Sequence, residues 1–354
     1  MRILHTADWH LGRILGSHSL LEDQEYVLRQ FLDLAVDTRP DAIVIAGDLY
    51  DRSVPPADAV TLLDDTLHAL MDRCTAPVIA ISGNHDGQQR LDFGARLLRH
   101  RGLHLFGSLA SAGVVQVGDT AFVAVPFAEP AAVRSAFPEF AGQDYHSALA
   151  FLLDRFRPSA GRAVAVAHAF VAGGAESDSE RPLSVGTAGQ VGVQVFAGFA
   201  YAALGHLHRP QTLGNARYSG SLLKYSTSEA GQKKSVTLVD LDGGMEEFAL
   251  SPRRDLRCMT GTFDELLQGP PSQDYLYCTL TDSGLIPNAA QRLREVYPQF
   301  LGLEMRKANE AGETRVGKSA SPMELFAGFW EYVAGEAATD EQRSVVAPWL
   351  KEAE

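Results

Sequence analysis

Short polar motifs at the ends of apolar runs carry the side chains of this sequence that could bind metal. Each motif follows its apolar run directly, and glycine opens three of them. The motifs are Asp8-x-His10, Gly47-Asp48, Gly83-Asn84-His85-Asp86 and Gly205-His206-x-His208, and His168 ends a fifth run. Taken singly they are weak signals, because Asp-x-His and Gly-Asn segments are more often caps or turns than metal ligands.

Taken together, these motifs offer two aspartates, one asparagine and four histidines as ligands. Imidazole combined with carboxylate suits manganese, iron, zinc or nickel rather than a metal that prefers thiolates. Seven ligands are too many for one ion, but they suit two ions that share a bridging carboxylate. Glycines before Asp48, Asn84 and His206 let the chain turn sharply and approach the ions closely. The sequence therefore predicts a two-metal site.

Alternating strands and helices would position these motifs. Apolar residues at helical spacing predict helices at 22–37, 57–72, 90–100 and 146–156. Between the helices lie apolar runs that predict strands at 42–46, 77–82, 103–106, 113–117, 121–125, 163–167 and 201–204. This alternation indicates an α/β layered sandwich with largely parallel sheets. In such a fold the carboxyl ends of the strands open onto one crevice, so the motifs should meet there.

The chain is expected to divide into three segments. Residues 1–253 form the large domain that carries the polar motifs. Residues 254–311 alternate strand and helix on a smaller scale, which predicts a separate α/β unit. Residues 312–354 begin with a polar, glycine-containing linker and continue into an aromatic amphipathic helix at 322–333, followed by a second short helix.

Composition excludes several classes of protein. With 354 residues, 45% hydrophobic and 21% charged, the chain is neither disordered nor collagen-like nor a coiled coil. A net charge of −13 argues weakly against an unspecific nucleic-acid coat protein, but says nothing about one local groove. Three cysteines without a C-x-x-C pair argue against a disulfide scaffold and a thiolate zinc site, and favour a reducing cytoplasm. We expect neither a signal peptide nor a membrane span.

Longer blocks around the motifs resemble the calcineurin-like metallophosphoesterases and, within them, the SbcD family of nuclease subunits. The blocks are His-Thr-Ala-Asp-Trp-His-Leu-Gly-Arg at 5–13, Gly-Asp-Leu-Tyr-Asp at 47–51, Gly-Asn-His-Asp at 83–86, Ala-His-Ala-Phe-Val-Ala-Gly-Gly at 167–174, Gly-His-Leu-His-Arg-Pro at 205–210 and Tyr-Ser-Gly-Ser-Leu-Leu-Lys-Tyr-Ser at 218–226. The resemblance implies two mixed β-sheets flanked by helices, with a smaller C-terminal α/β capping domain. It is dense in the large domain, and the C-terminal tail matches only in character.

The resemblance also implies which residues hold the ions and which act on the substrate. The first ion would be held by Asp8, His10, Asp48 and His208, and the second by Asp48, Asn84, His168 and His206, with Asp48 bridging. The ions would be Mn²⁺, with Mg²⁺ or another divalent ion as alternatives. His85 is not a ligand; it would protonate the leaving oxygen or stabilise charge on the phosphate. Asp86 would orient the His85 ring.

The activity implied is that of a metal-dependent 3′–5′ double-strand DNA exonuclease and single-strand or hairpin endonuclease in DNA repair, recombination and replication. Such subunits work with an SbcC-type ATPase, in the cytoplasm at the nucleoid, and form homodimers, here through helices 57–72 and 90–99. Two other functions remain open at this point. The chain could be a small-molecule phosphodiesterase or phosphatase of the same superfamily, or a catalytically silent scaffold for the ATPase.

Several residues outside the metal motifs have two competing interpretations. Trp9 either packs beneath the site, which we favour, or stacks on a base. Four cations either contact DNA phosphates or lie on a solvated face: Arg13, Lys224, Lys233 and Lys234. The helix at 322–333 either folds back onto its own domain or docks in a groove of the SbcC-type partner.

Overall fold

Strands and helices alternate along most of the chain. The computed structural model describes residues 1–180, 183, 189–284, 286–306, 321–334 and 336–351. Its strands are β1 (Arg2–Thr6), β2 (Ile14–Leu15), β3 (His18–Ser19), β4 (Ala42–Ala46), β5 (Val78–Ile81), β6 (Leu103–Phe106), β7 (Gly113–Val117), β8 (Thr120–Val125), β9 (Arg162–His168), β10 (Phe170–Val171), β11 (Gln190–Val191), β12 (Tyr201–Gly205), β13 (Gln211–Leu213), β14 (Ala216–Tyr218), β15 (Ser235–Asp240), β16 (Gly244–Ala249), β17 (Leu256–Gly261), β18 (Tyr275–Leu280) and β19 (Phe300–Met305). Its α-helices are α1 (Leu21–Thr38), α2 (Ala57–Arg73), α3 (Gln88–Asp92), α4 (Ala95–Leu98), α5 (Pro130–Ala136), α6 (Tyr145–Phe156), α7 (Phe263–Leu267), α8 (Ala289–Val296), α9 (Pro322–Ala334) and α10 (Asp340–Lys351).

Two six-stranded mixed sheets form the first of two units, Met1–Asp255. The first sheet has the order β16-β15-β1-β4-β5-β6; β1, β4, β5 and β6 are parallel, and the β15–β16 hairpin pairs antiparallel with β1. The second has the order β13-β14-β12-β9-β8-β7, with a parallel centre and antiparallel edge strands. Every residue of β4 is buried, as the continuous apolar run predicts for a central parallel strand.

The core between the two sheets is apolar. Side chains of the first sheet, among them Ile3 and Val44, share one buried cluster with Phe122 and Val164 of the second. The other face of the second sheet packs in another cluster with the apolar side of α6, where Leu152 is fully buried. Both sheets therefore present their strand ends at the edges of a tightly packed sandwich. Chain segments beyond those ends carry the polar motifs.

The predicted helix at 90–100 is wrong, because the chain breaks there. Helix α3 ends at Asp92, α4 begins at Ala95, and a 3₁₀ turn follows at Arg99–Arg101. Phe93 is extended and Gly94 is left-handed with φ 75°, a pair of conformations that cannot continue an α-helix. The Asp92 carboxylate accepts hydrogen bonds from the backbone N–H groups of Gly107 and Ser108, which ties the break to the end of β6.

The second unit, Leu256–Glu354, contains a small parallel sheet in the order β17-β18-β19. Its own core gathers apolar residues of the sheet and of α7 and α8, with Leu276 and Leu293 fully buried. A capping box between Thr262 and Glu265 starts α7. The predicted linker at 312–321 lies outside the described residues except for Ser321. The predicted three-segment division stays a prediction.

The last two helices, α9 and α10, contact each other. Both expose large apolar side chains to solvent, including Leu325, Phe329, Val345 and Trp349. Among the described residues no helix is long and apolar enough to cross a membrane.

Candidate metal centre

Five strands of the two large sheets deliver the predicted site residues to one place. Asp8 and His10 follow β1, Asp48 follows β4, and the 84–86 motif follows β5. His168 is the last residue of β9, and the 206–208 motif follows β12. All of these strands are parallel members of their sheets, so their carboxyl ends meet at the same edge of the sandwich.

The backbone is strained where it presents these ligands. Asp8, His10, Asp48 and His206 have positive φ angles of 54°, 46°, 50° and 106°. Residues other than glycine rarely adopt positive φ angles. Each such residue costs of order 1–3 kcal/mol of folding free energy, which the surrounding structure must offset. Among the described non-glycine residues the only other positive φ angles belong to Arg39 and Asn288. Backbone strain is therefore concentrated at the predicted ligands.

Position 205 needs glycine because its backbone lies very close to the neighbouring strands β4 and β9. A Cβ atom there would lie 2.0 Å from the carbonyl oxygen of Ala46 and 2.8 Å from Nδ1 of His168. Only a residue without a side chain lets β12 end this near to β4 and to a ligand of the neighbouring strand. Close approach of these glycines to the ions themselves stays a prediction.

Three buried side chains form one half of the site. Asp8, His10 and His208 each offer a ligand atom within 4.8 Å of the others, and none is more than 1% exposed. The Nε2 atoms of His10 and His208 lie 3.0 Å apart. Two imidazole nitrogens aimed at the same small volume are an arrangement that a shared cation stabilises.

The other half of the site surrounds Asn84. Its Oδ1 atom lies 3.0 Å from Nε2 of His168 and 3.1 Å from Nδ1 of His206. Asp48 stands between the halves: its Oδ2 atom is 3.4 Å from Nε2 of His168 and 3.5 Å from Nε2 of His10. This central carboxylate is the group that the family resemblance implies as the bridging ligand.

Hydrogen bonds on the outer side of the rings fix which nitrogens face inward. Nδ1 of His168 donates to the carbonyl oxygen of Ala46 at 2.9 Å, so Nε2 is the nitrogen that faces Asn84 and Asp48. Nδ1 of His85 lies 2.8 Å from the carbonyl oxygen of Asp51, so its Nε2 is the free nitrogen of that ring.

Asp86 has a different contact from the one expected. Its carboxylate accepts hydrogen bonds from the backbone N–H groups of Leu49, Tyr50 and Gly83 at 2.9–3.1 Å. The ring of His85 instead has its Nδ1 atom 2.8 Å from the carbonyl oxygen of Asp51, which orients it. Asp86 therefore braces the two loops that carry Asp48 and Asn84.

Burial shapes the charges of the site. It raises the pKa of Asp8 to about 7, against the opposing charge of His168. Burial would raise the pKa of Asp48 too, but His168 holds it well below its usual range. Burial likewise lowers the pKa of His168, yet Asp48 and Asp8 raise it to about 9 overall. Burial keeps the pKa of His206 low, at about 3, so this ring is neutral, the form that binds metal.

The residues present fit divalent ions. In the described part of the chain, Oδ2 of Asp8, Nδ1 of His10 and Nδ2 of Asn84 are buried without a hydrogen-bond partner. An unpaired buried carboxylate oxygen is costly, and a cation is the group that would satisfy it. Oxygen and imidazole donors also match the hard to borderline metals expected from the sequence.

Sequence reasoning missed Asp51, Ser179, Glu229 and Tyr225, which surround the predicted ligands. The Tyr225 hydroxyl donates to the carbonyl oxygen of Trp9 at 2.5 Å, and its ring lies edge-on to His10 and His208. The signal that could have found Asp51 and Tyr225 was the length of the blocks at 47–51 and 218–226, which extend beyond the ligands themselves.

The structure also decides between interpretations of other residues. Trp9 is fully buried and packs edge-on against Phe31, so it does not stack on a base. Lys234 is 5% exposed and pairs with Glu229, which excludes it as a surface contact for DNA phosphates. Lys224 pairs with Asp255 at 2.9 Å and Arg13 with Asp51 at 2.9 Å.

Comparison with known proteins agrees with this geometry. Residues 1–160 match the calcineurin-like phosphoesterase family, and residues 252–333 match the family described as the type 5 capsule protein repressor C-terminal domain. The SbcD subunit of the SbcCD nuclease of Staphylococcus epidermidis is 37% identical over 317 residues, which cover 86% of this chain and 85% of that protein. The chain belongs to the SbcD family. Its membership confirms the predicted fold class and the predicted enzyme class, a phosphodiester hydrolase with nuclease function.

Solved structures to which the chain is similar include TT1561 of Thermus thermophilus and a dimetal phosphatase from Danio rerio. The first is 16% identical with a TM-score of 0.42 and covers 71% of this chain and 99% of its own. The second is 15% identical with a TM-score of 0.40 and covers 71% of this chain and 98% of its own.

Proposed function

We propose that this SbcD-family chain cuts DNA with two divalent ions, held on either side of Asp48. The observation that carries the proposal is the position of the Asp48 Oδ2 atom, 3.5 Å from a nitrogen of His10 and 3.4 Å from one of His168. A carboxylate oxygen that lies near nitrogens of both halves of a buried cluster could bind an ion on each side, which suits a pair of ions better than a single ion.

We propose the ligand sets that the family resemblance implies, and the two halves of the cluster support them. The first ion would be bound by Asp8, His10, Asp48 and His208, and the second by Asp48, Asn84, His168 and His206. Bound there, the ions would activate water and polarise the phosphate oxygens as Lewis acids. Mn²⁺ is the ion we propose, because it accepts imidazole and carboxylate together more readily than Mg²⁺ does.

His85 is the proposed proton donor. Its ring lies edge-on to the ring of His10 with the centroids 4.7 Å apart, and it is only partly buried, so a phosphodiester can reach it. Because Nδ1 is engaged by the carbonyl oxygen of Asp51, Nε2 is the atom that would deliver a proton to the leaving oxygen of the DNA. Asp86 supports this role indirectly, through the loops that it braces.

DNA is the proposed substrate, and an SbcC-type ATPase is the proposed partner. Support for both comes from the similarity to the SbcD subunit of the SbcCD nuclease over 86% of the chain. We infer exonuclease action on duplex ends in the 3′–5′ direction and endonuclease action on single strands and hairpins, in the cytoplasm at the nucleoid. The aromatic helix α9, which exposes 64% of Phe329, is the proposed docking element for the ATPase.

A homodimer is proposed through a narrower surface than the sequence indicated. In helix α2, Leu63, Leu67 and Leu70 are buried within their own chain and cannot supply a subunit interface. The break after α3 instead exposes 88% of Phe93 and 79% of Leu97. Two large apolar side chains this exposed, four residues apart in the sequence, favour a second copy of the chain as their cover.

Nuclease assays on blunt duplex and hairpin DNA test the function, with Mn²⁺ compared with Mg²⁺ and with or without the ATPase. Asp8→Ala should abolish cleavage and lower the metal content, because a direct ligand is lost. His85→Ala should reduce kcat at least ~100-fold and leave two bound ions per chain. Asp33→Ala, which changes an exposed carboxylate paired with Arg73, is the matched control and should cleave normally.

Failure of the wild-type chain to bind two ions would refute the two-metal proposal. Loss of both ions from His85→Ala would instead refute the division between ligands and proton donor. Metal binding without cleavage of either DNA would favour a scaffold, and cleavage of small phosphodiesters alone would favour the small-molecule phosphodiesterase.

A further inference from the structure

Two residues of a loop that precedes His208 by 28 and 29 residues contact this proposed ligand. The Ser179 hydroxyl lies 2.6 Å from Nδ1 of His208 and donates a hydrogen bond to Oε1 of Glu229. The neighbouring Glu180 accepts a hydrogen bond from the backbone N–H of His208 at 2.7 Å. Ser179 and Glu229 are 8% and 0% exposed, so no bulk water competes for these contacts.

The protons of this chain of contacts can be assigned in only one way. A carboxylate only accepts, so the Ser179 hydroxyl must donate its proton to Glu229. The hydroxyl oxygen then accepts, and the hydrogen between it and His208 must belong to Nδ1 of the imidazole. His208 is thereby held as the tautomer whose Nε2 carries a lone pair, and this nitrogen faces His10 across 3.0 Å.

Glu229 can play this part because it stays ionised in the interior. Its carboxylate pairs with the ammonium group of Lys234, which is also buried and donates to the carbonyl oxygen of His208 at 2.8 Å. The same lysine thus fixes both the carboxylate and the backbone of the ligand loop.

We propose that Ser179 and Glu229 are positioning residues that set the tautomer and orientation of His208. They thereby strengthen the binding of the ion that His208 would coordinate. Metal-bound histidines commonly donate their second nitrogen to a carboxylate directly. Here a serine hydroxyl is inserted between the ring and the carboxylate. The inference rests on the proposed two-metal function, and it assigns Ser179 to one ion only.

Titration calorimetry of the full-length, metal-free chain with MnCl₂ tests this relay. Ser179→Ala should lower the affinity for one of the two ions roughly 10- to 100-fold and leave the affinity for the other ion unchanged. Ser179→Thr, which keeps the hydroxyl, should restore both affinities. The control is Ser177→Ala: this serine is equally buried in the same loop, but its hydroxyl accepts from Gln232 and does not contact a metal ligand.

Electron paramagnetic resonance gives a readout that loss of packing alone would not produce. At a Mn²⁺ concentration that fills both wild-type sites, Ser179→Ala should show the signal of a single uncoupled ion in place of a spin-coupled pair. Circular dichroism of the metal-free variants should show the secondary structure of the wild type, and Ser179→Ala should unfold at a lower temperature because Nδ1 of His208 loses its buried partner.

Several outcomes would overturn the relay. Equal isotherms for Ser179→Ala and the wild type would do so, as would equal losses in Ser177→Ala or a Ser179→Thr variant that binds like the alanine. A wild-type chain without two ions would count against the proposed function instead, so the two failures can be told apart.

Discussion

Replacement of Gly83 by alanine should disable the metal site through one added methyl group. Gly83 precedes Asn84 at the end of β5 and is buried against the loop that carries Asp48. A Cβ atom on Gly83 would lie 2.1 Å from Oδ1 and 2.5 Å from the backbone nitrogen of Asp48. Because both a side-chain and a backbone atom are in the way, rotation of the Asp48 side chain cannot remove the clash.

The required displacement follows from these distances. Real Cβ atoms do not come closer than 3.0 Å to other heavy atoms, so the Asp48 carboxylate must move by about 0.9 Å. Metal–ligand distances in proteins vary by only about 0.2 Å. The movement also weakens the hydrogen bond that the His85 N–H donates to Oδ1 of Asp48 at 2.9 Å. Since Asp48 is the proposed bridge, both ions should bind at least ~100-fold more weakly, and overpacking should cost about 1–3 kcal/mol of folding stability.

Metal content per chain, measured by mass spectrometry after dialysis at a fixed Mn²⁺ concentration, is the direct assay. Urea unfolding of the metal-free chain measures the stability cost separately. Gly231→Ala is the matched control, because no atom lies within 4 Å of its added Cβ and its φ is not positive. This control should bind two ions and unfold like the wild type.

A Gly83→Ala chain that binds two ions with wild-type affinity would refute the reasoning. It would mean either that the loops move apart at little cost or that Asp48 does not bridge. A loss of stability well above the overpacking range, with intact metal binding, would show that the clash is relieved in the core and not at the site.

Three further changes test other parts of the molecule. Phe93→Asp with Leu97→Asp should give monomers in sedimentation at micromolar concentration, where the wild type should be a dimer; a wild-type monomer throughout would end the dimer proposal. Phe329→Ala with Trp330→Ala should weaken binding to the SbcC-type ATPase at least tenfold, about 1.4 kcal/mol, with the nuclease activity of the isolated subunit retained; unchanged affinity would mean that α9 packs only on its own chain. Burial lowers the pKa of His5 to about 3, so the folded chain holds it neutral and loses stability as the pH falls below about 6.5. Between pH 7 and pH 5 the free energy of unfolding of the metal-free chain, measured in urea, should therefore fall by about 2 kcal/mol less in His5→Gln than in the wild type. Equal decreases in the two chains would contradict the pKa assignment.

The types of the site residues and their places at strand ends could be predicted from the sequence because both are local properties. Strands β1, β4, β5, β9 and β12 are four to seven residues long and built around apolar residues, and each polar motif lies at the end of its strand or within a few residues beyond it. Parallel pairing then brings the carboxyl ends together by topology alone. The same local signals failed at 90–100, where the helical spacing of leucines outweighed Gly94, because the tie between Asp92 and the end of β6 cannot be seen in a window of ten residues.

Only the tertiary structure decided how the proposed metal ligands are held. The contact of Ser179 with His208 spans 29 residues, that of Ser179 with Glu229 spans 50, and that of Asp8 with the backbone of His206 spans 198. Burial of Lys234, the tautomers of the ligand histidines and the brace formed by Asp86 likewise depend on which loops pack together. A serine, a glutamate or a lysine has the same local signal in a solvated loop as in a buried relay. Its partner, and therefore its role, exists only after distant segments have packed and excluded water from between them.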